Sequence, residues 1–244
     1  MLEELQRLMK LIRIMSNMTK KIIPAILPKD FFDLKEHLER VKGVTDYVQI
    51  DICNSTYTPS KTWPFTHTPD VYFKKMVTQE EGMPFWEDID FELDLMIKNP
   101  EEHYEKFLQL GPKKIIFHFE TMSNPIEFIQ KVKAENNFVE VGIAFSNNTR
   151  AIEHKDVIEM ADFVQCMGID QIGFQGQDFD ERVLDQVESI RQEFPEKIIA
   201  VDGSVNEETI SELSDVGVNH FVTGSAFFET QNLISTLEEF EDLI

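Results

Sequence analysis

Short apolar runs rich in β-branched and aromatic residues alternate with longer amphipathic runs along almost the whole chain. Eight of the short runs read as strands: Ile22–Leu27, Tyr47–Ile52, Phe91–Ile97, Lys114–Glu120, Val139–Phe145, Phe163–Met167, Lys197–Val201 and Asn219–Thr223. Between them apolar positions recur at helical spacing, as in Pro100–Leu110, Pro125–Glu135, Glu181–Glu193 and Glu207–Val216. The punctuation agrees. Asn99-Pro100 places a cap before a first-turn proline. Asn206-Glu207-Glu208 puts acids at the positive end of a helix dipole. Gly43, Gly111 and Gly217 fall where helices end, in the left-handed position that glycine fills most easily. Strands that alternate with helices require parallel pairing through right-handed crossovers. Eight such units close into a single (β/α)8 barrel of the TIM type. An open doubly wound sheet would place a glycine-rich turn after the first strand, and Leu27-Pro28-Lys29-Asp30 is not one. The segment Thr78–Asp90, with Gly82-Met83-Pro84-Phe85-Trp86, reads as a rim insertion with no chemistry implied.

The 244 residues suit one barrel over 21–244, preceded by an extension over 1–20. In that extension Leu2, Leu5, Leu8, Leu11 and Ile12 make an amphipathic pattern, with Glu3 and Glu4 among them. It reads either as a capping helix or as an over-called start, with Met15 or Met18 as the true first residue, and it makes a poor signal peptide. The formal charge of −22 repels nucleic acid and anionic lipid, so neither is an expected partner, and no apolar run is long enough to span a bilayer. Two cysteines, Cys53 and Cys166, make no disulfide framework, and a reducing cytoplasm is the expected location.

Barrel chemistry sits at the C-terminal ends of the strands. Strand 2 offers Gln49 and Asp51, two apart and so on one face; strand 3 offers Glu92 and Asp94, strand 4 His118 and Glu120, and strand 7 ends in Asp202-Gly203. An acid inside an apolar strand is costly unless paired, liganded or solvated at a mouth. Several converging acids therefore point to a hard-cation site or a proton-transfer pair. Taken alone, Asp94 reads as a cap for the following loop, Cys53 as a small buried residue and His118 as a satisfied core histidine. A one-residue slip would expose Glu92 and Glu120.

The anion signal is stronger. Gly173-Phe174-Gln175-Gly176-Gln177 follows strand 6, Asp202-Gly203-Ser204 follows strand 7, and Gly224-Ser225-Ala226-Phe227 follows strand 8. Small residues in these loops let backbone N–H groups approach a phosphate, and a short helix adds its positive end. Loops after strands 7 and 8 are a recurrent phosphate site in this fold. Gly173, Phe174, Gln175, Gly176, Gly203, Ser204, Gly224 and Ser225 are the expected binding residues, and a small phosphorylated sugar the expected ligand.

These strings resemble those of the ribulose-phosphate 3-epimerase family from about Ile22 to Phe228. Ile23-Pro24-Ala25-Ile26-Leu27 with Asp30-Phe31 is similar to A-P-S-I-L and D-F. Val48-Gln49-Ile50-Asp51-Ile52 resembles H-V-D-V-M-D-G, and Tyr57-Thr58-Pro59-Ser60 resembles F-V-P-N. Asp94-Leu95-Met96-Ile97-Lys98-Asn99-Pro100 resembles H-L-M-I-E-N-P, and Phe117-His118-Phe119-Glu120 resembles V-H-x-E. The three loops resemble G-F-G-G-Q, V-D-G-G-V and G-S-A-I-F. The resemblance implies a carbon inverted beside a carbonyl by proton transfer between two aspartates, here Asp51 and Asp202. It also implies a divalent metal held by two histidines and those aspartates. Gln49 and Asp94 stand at the histidine positions, Ala25 at the serine of strand 1, Cys53-Asn54-Ser55 at M-D-G, and Gln171-Ile172 before the sixth loop with one residue inserted.

Without imidazoles, Gln49, Asp51, Asp94 and Asp202 form an all-oxygen set that suits magnesium or manganese better than zinc. Three readings stay open: a sugar-phosphate epimerase, a different lyase or isomerase on the same barrel, and a non-catalytic barrel that binds a metabolite or a partner. No lysine falls at a strand's C-terminal end, which argues against a Schiff-base aldolase. A homo-oligomer is also left open.

Overall fold

In the computed structural model, which describes residues 19–67 and 69–244, eight parallel strands pair each with the next, and β8 returns to β1. The strands are β1 Lys21–Ile26, β2 Tyr47–Cys53, β3 Asp90–Met96, β4 Lys114–His118, β5 Glu140–Phe145, β6 Phe163–Met167, β7 Ile198–Asp202 and β8 His220–Thr223. The closing pair sets Lys21 opposite His220 and Pro24 opposite Thr223. The (β/α)8 expectation holds. The amphipathic extension over 1–20, read as a capping helix or an over-called start, lies, apart from Thr19 and Lys20, outside the described residues.

Each strand alternates between two buried faces, the arrangement expected when helices cover a parallel sheet. Outward residues such as Val48, Ile50, Leu93, Phe117, Ile143, Val164, Val201 and Phe221 join one large core beneath the helices. The helices are α1 Phe31–Val41, α2 Val71–Val77, α3 Tyr104–Leu108, α4 Pro125–Glu135, α5 Lys155–Met160, α6 Arg182–Glu193, α7 Ile210–Asp215, α8 Ser225–Phe228 and α9 Leu233–Asp242. α1 shows the logic. Asp30 caps it by accepting from the Phe32 and Asp33 amides, and Leu34, Leu38 and Val41 bury one stripe. Inward residues form smaller apolar groups, among them Cys53, Met96, Met167 and Ile172 near the top and Ile116, Ala144 and Phe163 lower down.

Some local expectations are corrected. β4 stops at His118, and Phe119–Thr121 turns as a 3-10 segment, so Glu120 is not on a strand. The expected helix Pro100–Leu110 breaks into a 3-10 turn, Pro100–Glu102, and α3. Asn99 is left-handed (φ 51°) and its side chain makes no cap bond, because its own backbone has already turned out of the extended form a cap needs. α7 starts at Ile210, after a turn in which Asn206 Oδ1 accepts from the Glu208 amide. Glu207 and Glu208 therefore precede the helix, and Glu212 is its first-turn acid. The rim insertion leads into the start of β3, at the end of the barrel away from the loops that follow the strands. It buries Met83 and Ile89 while leaving Trp86 exposed.

Candidate active site

The loop after β2 fixes the end of that strand. Thr62 Oγ1 donates to the Asp51 carbonyl at 2.8 Å and accepts from the Cys53 amide at 2.8 Å. The Trp63 amide reaches the Pro28 carbonyl at 2.8 Å, and the Trp63 indole is wholly buried. Asp51 is thus held at a defined height, in register with Asp94 on β3. From β7, Asp202 comes to the same place. Gln49 Nε2 donates to Asp51 Oδ1 and to Asp202 Oδ2, each at 2.9 Å.

Asp94 points into the barrel and is fully buried, so the reading of it as a loop cap is wrong. The parity of β3 puts it on the inner face, where side chains must supply its partners. His118 Nε2 lies 3.0 Å from its Oδ1, and Gln165 Nε2 donates to its Oδ2 at 3.0 Å. His118 is accordingly a core histidine paired with a carboxylate through Nε2, while its buried Nδ1 has no hydrogen-bond partner. Gln165 was absent from the sequence-derived set. A glutamine two residues before Met167, within an otherwise apolar strand, is the signal that could have found it. Glu92 is also inside, lower down, where it accepts from the Tyr47 hydroxyl at 3.0 Å and faces Lys114 Nζ at 3.7 Å. Glu120 stays outside the barrel and accepts from the Ser146 amide at 2.9 Å and from the Tyr57 hydroxyl at 3.2 Å.

Burial sets the charge states. It pushes Asp51 well above the ordinary carboxylate range, helped by the charges of Asp202 and Asp94. Burial and the Asp94 charge push Asp202 up as well. Burial by itself would lower His118, but the Asp94 carboxylate beside it outweighs that and raises it.

Asp51, Asp94 and Asp202 each offer an oxygen, all within 4.8 Å of one another. Gln49 Oε1 is buried without a partner, an acceptor that a cation would satisfy. Asp94 is braced by His118 and Gln165 in the way ligating carboxylates commonly are. The residues therefore fit a divalent ion, and their donors are all oxygens.

Above the acids opens a cleft lined by Asp51 and Asp202 and by all eight residues expected to bind phosphate, with Gln177 and Asn206 beside them. None of the described residues lining it is Lys or Arg. The loops use left-handed backbone at Gly173 (φ 90°), Gly176 (φ 68°), Gly203 (φ 102°) and Ser204 (φ 52°), a conformation that builds anion-binding concavities. A Cβ on Gly203 would lie 2.7 Å from Ile169 Cγ1, and one on Gly224 would collide with Gln175 Nε2. Ser204 Oγ bonds the Gln177 carbonyl and so ties two of the loops together. The helix after Gly224 is a single turn, Ser225–Phe228, so little of the expected dipole is available there.

Residues 21–228 match the model of the ribulose-phosphate 3 epimerase family. Ribulose-phosphate 3-epimerase of Helicobacter pylori strain J99 is 28% identical over 227 residues, covering 91% of this chain and 97% of that protein. The Mycobacterium bovis protein of the same name is 28% identical over 211 residues, covering 85% of each chain. Among solved structures, a KGPDC from Streptococcus mutans aligns with a TM-score of 0.66 at 11% identity, over 92% of this chain and 96% of that one. A 3-hexulose-6-phosphate synthase aligns with a TM-score of 0.63 at 18% identity, over 92% and 99%. At such identities the structural likeness speaks for the barrel alone.

Proposed function

This chain belongs to the ribulose-phosphate 3-epimerase family, and from that premise we propose that it inverts the carbon beside the carbonyl of a phosphorylated ketose, with ribulose 5-phosphate as the first substrate to test. The observation that carries the reading is the sharing of one amide nitrogen, Gln49 Nε2, by two carboxylates from opposite sides of the barrel, directly below an anion cleft. In this reading the backbone of Gly173, Phe174, Gln175, Gly176, Gly203, Ser204, Gly224 and Ser225 holds the phosphate end of the substrate. That anchors the ketose so that its third carbon lies between Asp51 and Asp202.

One aspartate removes the proton from that carbon on one face, and the C–H electron pair moves into an enediolate. The other aspartate returns a proton to the opposite face. The carbonyl re-forms, one carboxyl has gained a proton and the other has lost one, so a turnover in the reverse direction starts from the product state. Gln49 keeps the two acids at a constant separation throughout. Asp51, Asp94, Asp202 and Gln49 Oε1 would hold magnesium or manganese in preference to zinc, because their donors are all oxygens. When bound, the ion supplies positive charge near the substrate oxygen on which negative charge develops.

Proton transfer at this carbon leaves an isotopic record. Ribulose 5-phosphate incubated in D2O with the protein and magnesium or manganese is expected to gain deuterium at carbon 3 as its epimer appears, followed by NMR. No deuterium uptake with any divalent ion would remove the epimerase reading and leave a sugar-phosphate binder or a different reaction on the barrel.

A further inference from the structure

Two positions at which this chain departs from the epimerase strings meet in space. Ala25 stands at the serine of strand 1, and Gln175 at the middle glycine of the sixth loop. Gln175 reaches across the cleft so that its Nε2 lies 3.4 Å from the Ala25 carbonyl oxygen. The same nitrogen occupies the space that a Cβ on Gly224 would need, so the carboxamide rests directly over that glycine's backbone. Ala25 is in register with Gln49, the residue that holds the two acids. Gln175 therefore delivers an amide beside the acid pair, from a loop whose other residues belong to the anion cleft.

Three features bear on what this amide does. Its bond to Ala25 is at the long limit for an N–H···O contact, so a ligand can replace it at little cost. Ala25 brings no polar side-chain atom to the cleft floor, where a serine would have brought a hydroxyl. A carboxamide both donates and accepts, which matches the hydroxyl and carbonyl groups of a ketose, whereas a phosphate calls for donors alone. Backbone N–H groups of the glycine loops remain for the phosphate.

We propose that Gln175 is a substrate-contacting specificity residue. Its carboxamide hydrogen-bonds the polyol part of the phosphorylated ketose between the anion cleft and the acids, and takes over there from a hydroxyl on β1. The inference rests on the sugar-phosphate reading above. It adds that this side chain contributes to recognition of the sugar, as distinct from the phosphate.

Calorimetric titration of the full chain with ribulose 5-phosphate and, separately, with inorganic phosphate tests it. In Gln175→Ala the affinity for ribulose 5-phosphate is expected to fall about tenfold, the worth of one hydrogen bond to a ligand. The affinity for inorganic phosphate is expected to stay within about twofold, the nest being untouched. Gln175→Gly should behave alike, and adding Ala25→Ser to it should restore most of the lost affinity. Unchanged ribulose 5-phosphate binding in Gln175→Ala would overturn the proposal, as would a parallel loss of both ligands, which would mark Gln175 as a structural prop for the loop. Failure of Ala25→Ser to restore binding would overturn the exchange of roles. A wild-type protein that binds inorganic phosphate but no ribulose 5-phosphate would instead remove the sugar-phosphate reading itself.

Discussion

Gln165 donates its side-chain amide to Asp94 Oδ2 at 3.0 Å, linking β6 to β3 through the barrel interior. Both residues are fully buried, so no water stands ready to replace either partner. Gln165→Leu keeps the approximate volume and removes the donor. It is expected to lower the unfolding free energy by about 1–3 kcal/mol, the cost of leaving a buried acceptor unpaired. Urea denaturation measures this, and a change under about 0.5 kcal/mol would show that Asp94 loses nothing with its donor.

The same carboxylate bears on metal binding. Asp94→Asn removes one charge from the set of three and should weaken manganese binding at least about tenfold, a loss of the size that follows even when only an outer partner of a ligand is changed. Titration of free manganese by electron paramagnetic resonance reads it without any turnover. Affinity equal to that of the wild type would take Asp94 out of the ligand set.

In the proposed reaction Asp51 and Asp202 act apart from the glycine loops. Asp51→Asn and Asp202→Asn are each expected to lower epimerisation by about 10²–10⁴-fold, the usual contribution of a general acid or base. Affinity for the sugar phosphate should change little, since neither residue belongs to the proposed phosphate cradle. If either variant kept more than a tenth of the wild-type rate, that carboxylate would not be carrying a proton.

At Gly224 any side chain runs into Gln175, whose Nε2 occupies the position a Cβ would take. Gly224→Val must displace the Gln175 carboxamide and adds bulk at the cleft where the proposed anion would approach. Binding of inorganic phosphate is expected to fall by an order of magnitude or more, followed by calorimetry. Unaltered affinity would place the anion away from this loop.

His220, near the start of β8, is buried, its Nδ1 has no hydrogen-bond partner, and burial together with the charges of Lys114 and Lys21 lowers its pKa to about 3. In the unfolded chain it titrates near 6.5. Between these values the unfolded state binds more protons than the folded one, so this residue makes stability rise with pH by up to about 1.4 kcal/mol per unit. The penalty is absent above the unfolded value and grows as pH falls towards 3. The stability difference between wild type and His220→Gln should therefore shift in favour of the variant as pH drops from 7 to 4, measured by denaturant unfolding at each pH. A difference constant with pH would mean that the buried imidazole takes up its proton in the fold as readily as in the unfolded chain.

The barrel was legible in the sequence because its information is local. Eight apolar runs, the helical spacing between them and the glycines at helix ends each report on a few neighbouring residues, and parallel pairing through crossovers follows from their order. The glycine loops that line the cleft were legible for the same reason: Gly203-Ser204 and Gly224-Ser225 each sit just past a strand. What sequence could not decide is which side chains meet inside. Gln49 touches Asp202 at a separation of 153 residues, and Gln165 reaches Asp94 across 71. Such contacts exist only once the sheet has closed in one register, and that register also decided between the two readings of Asp94, loop cap or inward acid. The reach of Gln175 over Gly224 is of the same kind. A rotamer and a loop path chose it, and neither is written in the order of the residues.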